Sequence, residues 1–110
     1  MKYVVTGGSG FIGSALVKRL LREGHEVRVL DNHSRGQLRR LDSLADSVEI
    51  LDCDVRDAER VVQLSKGCDA FLHLAAVNGT ENFYEKPEMV LDVGVRGMLS
   101  ALEACRKNSI

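Results

Sequence analysis

Residues 4–16 read VVTGGSGFIGSAL, and their glycines fit two registers. Gly8, Gly10 and Gly13 spell G-x-G-x-x-G, whereas Gly7, Gly10 and Gly13 spell G-x-x-G-x-x-G. Hydrophobic periodicity changes across this stretch. KYVVT (2–6) is β-branched and aromatic, and at that length it predicts a buried strand stopped by the double glycine. Ile12, Ala15, Leu16 and Leu20 then recur at helical spacing, predicting a helix that packs on the sheet through these residues and stops at Gly24. Gly10 is the best placed to let a bound group approach the backbone closely, Gly13 for tight packing of the helix on the sheet, and Gly7 or Gly8 for a positive-φ bend.

Outward from this unit the alternation continues. EVRVL (26–30) is a second strand, followed by the polar DNHSRGQ and a weaker helical pattern through Leu38, Leu41 and Leu44. VEILDC (48–53) is a third strand, and Asp57 is a predicted N-cap for a helix carrying Val61, Val62 and Leu64 that closes at Gly67. CDAFLHLAA (68–76) gives the fourth strand. A loop with Asn78, Gly79 and Thr80 leads to Pro87, suited to a first helical turn. Met89, Val93, Gly97, Ala101 and Cys105 share one face of the helix that follows. The order βαβαβαβα requires parallel strands, because each crossover returns the chain to the same end of the sheet. The expected fold is α/β, a doubly wound parallel sheet of about four strands in the order 3-2-1-4.

The glycine string gains meaning from this setting. It follows a strand, opens a helix within a βαβ unit, and is followed about twenty residues on by Asp31 at the end of the second strand, as in dinucleotide-binding folds. Unpaired backbone amides and the positive end of the helix dipole favour a diphosphate at the helix start. A carboxylate at Asp31 accepts both hydroxyls of an adenosine ribose and repels a 2′-phosphate, since two unit charges ~4 Å apart cost roughly 4 kcal/mol at an effective dielectric near 20. NAD is therefore expected over NADP. Arg35, Arg39 and Arg40 lie near enough in sequence to weaken that preference, although Arg39 and Arg40 fit solvated helix charges better.

Composition narrows the classes of partner. With 45% hydrophobic residues over 110 positions, one core can be buried. A formal net charge of −1 gives no broad field to attract nucleic acid or a membrane surface. The three cysteines, Cys53, Cys68 and Cys105, lack C-x-x-C spacing, which argues against a disulfide framework or a zinc site, and no metal is expected. No run has the length of a signal peptide or a membrane span, so a cytoplasmic location is expected. His73 lies in an apolar strand and suits a core histidine better than a base; His25 and His33 suit loops.

TGGSGFIG, LDNHSRG, DCDVRD and LHLAA occur in the order and spacing of the extended short-chain dehydrogenase/reductases, and the chain resembles in particular their sugar-nucleotide epimerases and dehydratases. The resemblance spans nearly the whole chain and implies a Rossmann fold that binds NAD. It favours the register Gly7, Gly10, Gly13, with the amides of Phe11 and Ile12 near the pyrophosphate. It implies that Asp31 and Asn32 bind the adenosine ribose, with Ser34 and Arg35 lining the same pocket. Asp54 and Val55 would hold the adenine edge, and Leu74, Ala75 and Ala76 would lie beside the nicotinamide ribose. From the residues alone, Asp54 also suits a cap before the next helix.

Two departures qualify the resemblance. Many members carry a polar pair where this chain has Val93 and Gly94. The family's catalytic Ser or Thr and its Tyr-x-x-x-Lys pair are also absent: Tyr3 is followed four residues later by Gly7, and Tyr84 by Glu88. Residues 1–110 are therefore expected to form the N-terminal NAD-binding portion, without catalytic or substrate regions and inactive alone, of an enzyme acting on a nucleotide sugar by transient hydride transfer. The Tyr84 and Lys86 region is expected to line the substrate side. A homodimer through the last helix is the expected assembly. The alternatives are a non-catalytic NAD(P)-binding sensor or scaffold and an NADP-dependent carbonyl reductase.

Overall fold

The computed structural model describes residues 1–32, 38–77 and 79–110. Strands β1 (Lys2–Thr6), β2 (Glu26–Asp31), β3 (Glu49–Asp52) and β4 (Ala70–His73) form one parallel sheet in the order β3-β2-β1-β4. Helices α1 (Phe11–Arg22), α2 (Ala58–Leu64), α3 (Thr80–Glu85) and α4 (Pro87–Asn108) connect or follow them, and a 3-10 helix spans Leu38–Leu44. This is the doubly wound, Rossmann-like arrangement anticipated from the alternation of periods.

Strand alternation creates two half-cores. Val5, Val27 and Val29 meet Val17 and Leu20 of α1 and Leu41 of the 3-10 helix on one face. Val4 and Leu30 meet Val61 of α2 and Ala104 of α4 on the other, with Cys53 and Cys68. The strands are in register, with Thr6 opposite both Leu30 and His73, and Asp31 opposite Asp52. Their carboxyl ends therefore line up along one rim. Each departing chain adds one further sheet-like bond: Gly7 N–H to the Leu30 carbonyl (3.0 Å), Cys53 N–H to Asp31 (3.2 Å) and Leu74 N–H to Thr6 (3.2 Å).

Three local expectations change. The inward face of α1 is Gly13, Ser14, Val17 and Leu20, while Ile12 is 71% exposed and Ala15 also faces outward. The glycine contact sets this rotation, because at Gly13 the helix packs directly on the backbone of Gly7 and Gly8. The polar approach to Pro87 contains α3, a short helix with no buried residue and therefore no apolar stripe to announce it. The second crossover carries a 3-10 helix rather than a full α-helix. Asp57 caps α2 as expected, its side chain accepting from the Arg60 amide. Pro87 opens α4, whose buried residues Gly97, Ser100, Ala101 and Ala104 lie against the sheet and α2. Among the described residues, no helix is long and apolar enough to cross a membrane.

Candidate functional site

The glycines between β1 and α1 have separate tasks. Gly7 has φ +71°, and a Cβ there would also lie only 3.0 Å from the Ala75 nitrogen, so conformation and space both require glycine. Gly8 passes over β2, where a Cβ would come within 2.7 Å of both methyls of Val29. A Cβ on Gly13 would overlap the backbone of Gly7 and Gly8, lying 2.9 Å from Gly7 C and Gly8 Cα. The double glycine thus combines a turn, Gly7, with a sheet contact, Gly8. Both of the readings left open for the bend are occupied, with the positive φ at Gly7.

Gly10 is the N-cap of α1 and supplies no side chain, and no acidic residue occupies the first turn. Its amide donates to the Gly7 carbonyl (3.1 Å) and its carbonyl starts the helix by accepting from Ser14 (2.9 Å). The side chains of Phe11 and Ile12 are 82% and 71% exposed, so what these residues bring to the loop is backbone amide. A helix start without a capping side chain suits an anion.

Two adjoining clefts run along the rim. The first is bordered by Gly7, Gly10, Asp31, Asn32, Asp54, Val55, Leu74, Ala75 and Ala76, joined by Leu30, Cys53, Val77 and Val93. The second is bordered by Phe11, Ile12, Gly13 and Arg40 and shares Gly7, Gly10, Leu74 and Ala76 with the first. The sheet thereby brings together every expected cofactor residue except Ser34 and Arg35, which lie outside the described residues, as does His33.

Asp31 is buried at the end of β2. Its Oδ2 accepts from the Ser9 amide (3.0 Å) and from Ser9 Oγ (2.6 Å). Ser9, itself fully buried, is a partner that motif reading missed; the small polar residue inside the glycine string was its one signal. Arg40 corrects another expectation. It is half-buried and donates from Nη1 to the Ser9 carbonyl (3.2 Å), so it borders the site, whereas Arg39 is exposed as expected. Asp54 is gripped by Arg56, whose Nη2 lies 2.7 Å from Oδ2 and whose amide donates to Oδ1 at 2.9 Å. The hydrogen bond from the Arg56 guanidinium holds the Asp54 carboxyl below its ordinary value of 3.8. Arg56 also pairs with Asp92 of α4 (3.1 Å), tying the end of β3 to that helix.

Val93 gives the cleft an apolar wall, and the space around Gly94 is open. Tyr84 is 76% exposed and packs edge-on against Phe83 beside a separate depression that meets the first cleft at Val77. His25 packs against Tyr3, away from the rim, at 5.1 Å between ring centroids. Among the described residues no cluster of His, Cys, Asp and Glu could hold a metal ion.

The residues present fit a dinucleotide. The loop requires glycine where it turns and packs, the first turn of α1 supplies uncapped amides, and a buried carboxylate with an oriented plane stands on the same cleft. The chain is 36% identical to dTDP-glucose 4,6-dehydratase of Mycobacterium tuberculosis, covering 100% of this chain and 34% of the relative. It is 37% identical to UDP-glucose 4-epimerase of Mycolicibacterium smegmatis, covering 96% and 35%. Among solved structures, it superimposes on the Thermus thermophilus UDP-glucose 4-epimerase complex with NAD with a TM-score of 0.90 at 36% identity, covering 100% of this chain and 35% of that one. A dTDP-glucose 4,6-dehydratase from Streptomyces venezuelae, solved with NAD bound, gives a TM-score of 0.93 at 28% identity and covers 100% and 37%. The chain thus spans about a third of the length of these relatives. The model of the NAD-dependent epimerase/dehydratase family matches residues 3–110, and the chain belongs to that family.

Proposed function

We propose that this chain is the cofactor-holding portion of an NAD-dependent enzyme that epimerises or dehydrates a nucleotide sugar. The observation that carries the proposal is the meeting of the uncapped start of α1 and the buried, Ser9-oriented Asp31 on one rim. The amides of Phe11 and Ile12 hold the pyrophosphate, and Gly10 leaves room for it. Asp31 and Asn32 take the adenosine ribose. Asp54 and Val55 face the adenine, where Asp54, already held by Arg56, presents its carboxylate from a fixed position. Leu74, Ala75 and Ala76 flank the nicotinamide ribose. When bound, NAD supplies reversible hydride acceptance.

Relatives named for dTDP-glucose and UDP-glucose support a nucleotide sugar as the substrate class. The chain contains no Tyr-x-x-x-Lys pair to move a substrate proton, and we infer that it turns over no nucleotide sugar unaided. The last helix supports a homodimer: Leu91, Val95, Leu99 and Leu102 of α4 are 57–65% exposed at helical spacing.

Arg40 favours a second reading, NADP binding, because its guanidinium borders the loop near Asp31. Calorimetric titration with NAD and NADP separates the two. NAD is expected to bind at least tenfold more tightly, given the repulsion between Asp31 and a 2′-phosphate. A clear NADP preference would overturn the NAD assignment, and binding of neither would defeat the cofactor reading. Incubation with UDP-glucose or dTDP-glucose and NAD tests the inactivity; measurable turnover would refute it.

A further inference from the structure

We propose that Thr6 and His73 form a hydrogen-bond relay that sets the carboxyl end of β4, with His73 held as the neutral Nε2–H tautomer and acting as a positioning residue for the cofactor cleft. The cleft's identity as a cofactor site rests on the reading above; the relay itself does not.

The argument begins with the capacity of one hydroxyl. Thr6 is fully buried at the end of β1, and its Oγ1 lies 3.1 Å from the Leu74 nitrogen, 3.2 Å from the Ala75 nitrogen and 2.8 Å from His73 Nδ1. A hydroxyl has one hydrogen and two lone pairs. Backbone amides only donate, so they occupy both lone pairs, and the single hydrogen goes to Nδ1. That nitrogen must therefore be bare, and the ring's proton sits on Nε2.

The amides held in this way belong to residues that border both clefts or lie beside the loop. Leu74 shares its N–H with the Thr6 carbonyl (3.2 Å) and has a second anchor, whereas Ala75 depends on Oγ1. Ala75 is also the residue against which Gly7 is packed. If His73 takes a second proton, Nδ1 becomes a donor, the hydroxyl faces three donors with two lone pairs, and an amide of the rim is released.

His73 is half-buried, and burial lowers the affinity of the ring for that second proton. Its surroundings are Thr6 of β1, Phe71 of its own strand (ring centroids 6.3 Å apart) and Gly97 of α4, where an added Cβ would lie 3.5 Å from His73 Cε1. Val55, ahead of α2, packs against the same glycine. The charged groups neighbouring Val55 and Gly97 in the chain, Asp54, Arg56, Asp92 and Arg96, are paired with one another.

Long-range proton–nitrogen NMR of the 15N-labelled full chain reads the tautomer directly. The expected signature at pH 7.5 is a bare Nδ1 and a protonated Nε2; an Nδ1–H tautomer or a charged ring would overturn the proposal. Amide hydrogen exchange without ligand tests the positioning. Protection of Ala75 should fall about tenfold in Thr6→Val, as for loss of one hydrogen bond, and stay near wild type in Thr6→Ser. His73→Asn, whose Oδ1 can accept where Nδ1 did, should preserve protection that His73→Phe loses. Unchanged protection in both Thr6→Val and His73→Phe would defeat the relay, and the NMR result on the unmodified chain decides the tautomer even if a variant fails to fold. NAD titration is a separate readout. If the wild type binds NAD, affinity should decline as His73 becomes protonated; if it binds none, the cofactor reading falls and exchange at Ala75 still judges the relay.

Discussion

Ser9 shows how one small side chain can govern a charged one. Its amide and hydroxyl both meet the same oxygen of Asp31, so the carboxylate plane is set before any ligand arrives. Ser9→Ala should weaken NAD binding about five- to tenfold, equivalent to about 1 kcal/mol for one charge-assisted hydrogen bond, without changing the fold; calorimetry and circular dichroism measure the two effects. The sequence announced Asp31 because its distance from the glycines is a recurring chain length. It did not announce Ser9, whose role exists only after the loop folds over β2. Glycines differ just as sharply. Gly13→Ala drives a methyl into backbone and should cost about 1–3 kcal/mol, whereas Gly94→Ala, in open space within a helix, should stabilise by about 0.5–1 kcal/mol. Thermal denaturation would give shifts of opposite sign.

The elements were legible where one periodic stripe met one partner. Parallel strands and the face of α4 followed from alternation and spacing, the strand order from the dinucleotide-binding pattern, and the Asp57 cap from a single side chain. Helix α1 was rotated relative to its hydrophobic pattern because van der Waals contact at Gly13, where there is no side chain to count, decides the inward face. Arg40 was read as solvent-facing for a related reason. A 3-10 helix has a tighter turn than the expected α-helix and presents its residues differently. On α4, Val95 and Leu99 belong to the outer stripe, 57% and 60% exposed. Val95→Glu with Leu99→Glu should leave the thermal midpoint within a few degrees of wild type and abolish self-association. Sedimentation velocity across a concentration series checks the proposed homodimer; association that persists unchanged would place the contact elsewhere.

At the scale of the molecule, acid acts through the two carriers already described. Unfolded His73 takes its proton near 6.5, while the buried ring resists it, so the unfolded chain binds more protons as pH drops below that value. Stability should be complete above about pH 6.5 and decline toward the lower value of the folded state. Asp54 acts further down: its contribution persists above its ordinary 3.8 and disappears as pH falls through its depressed folded value. Urea midpoints measured from pH 8 to pH 4 should fall first in the range of His73, and His73→Asn should remove that early decline.

Cys53 and Cys68 lie in the half-core beneath α2 and α4, and burial pushes the Cys53 thiol up to about 11 and Cys68 in the same direction. Cys105 is only partly covered. A disulfide reagent such as Ellman's will therefore stain this polypeptide in two waves, the prompt one from Cys105 and the late one paced by how often the interior breathes. The late wave turns the native thiols into an internal stopwatch for conformational opening.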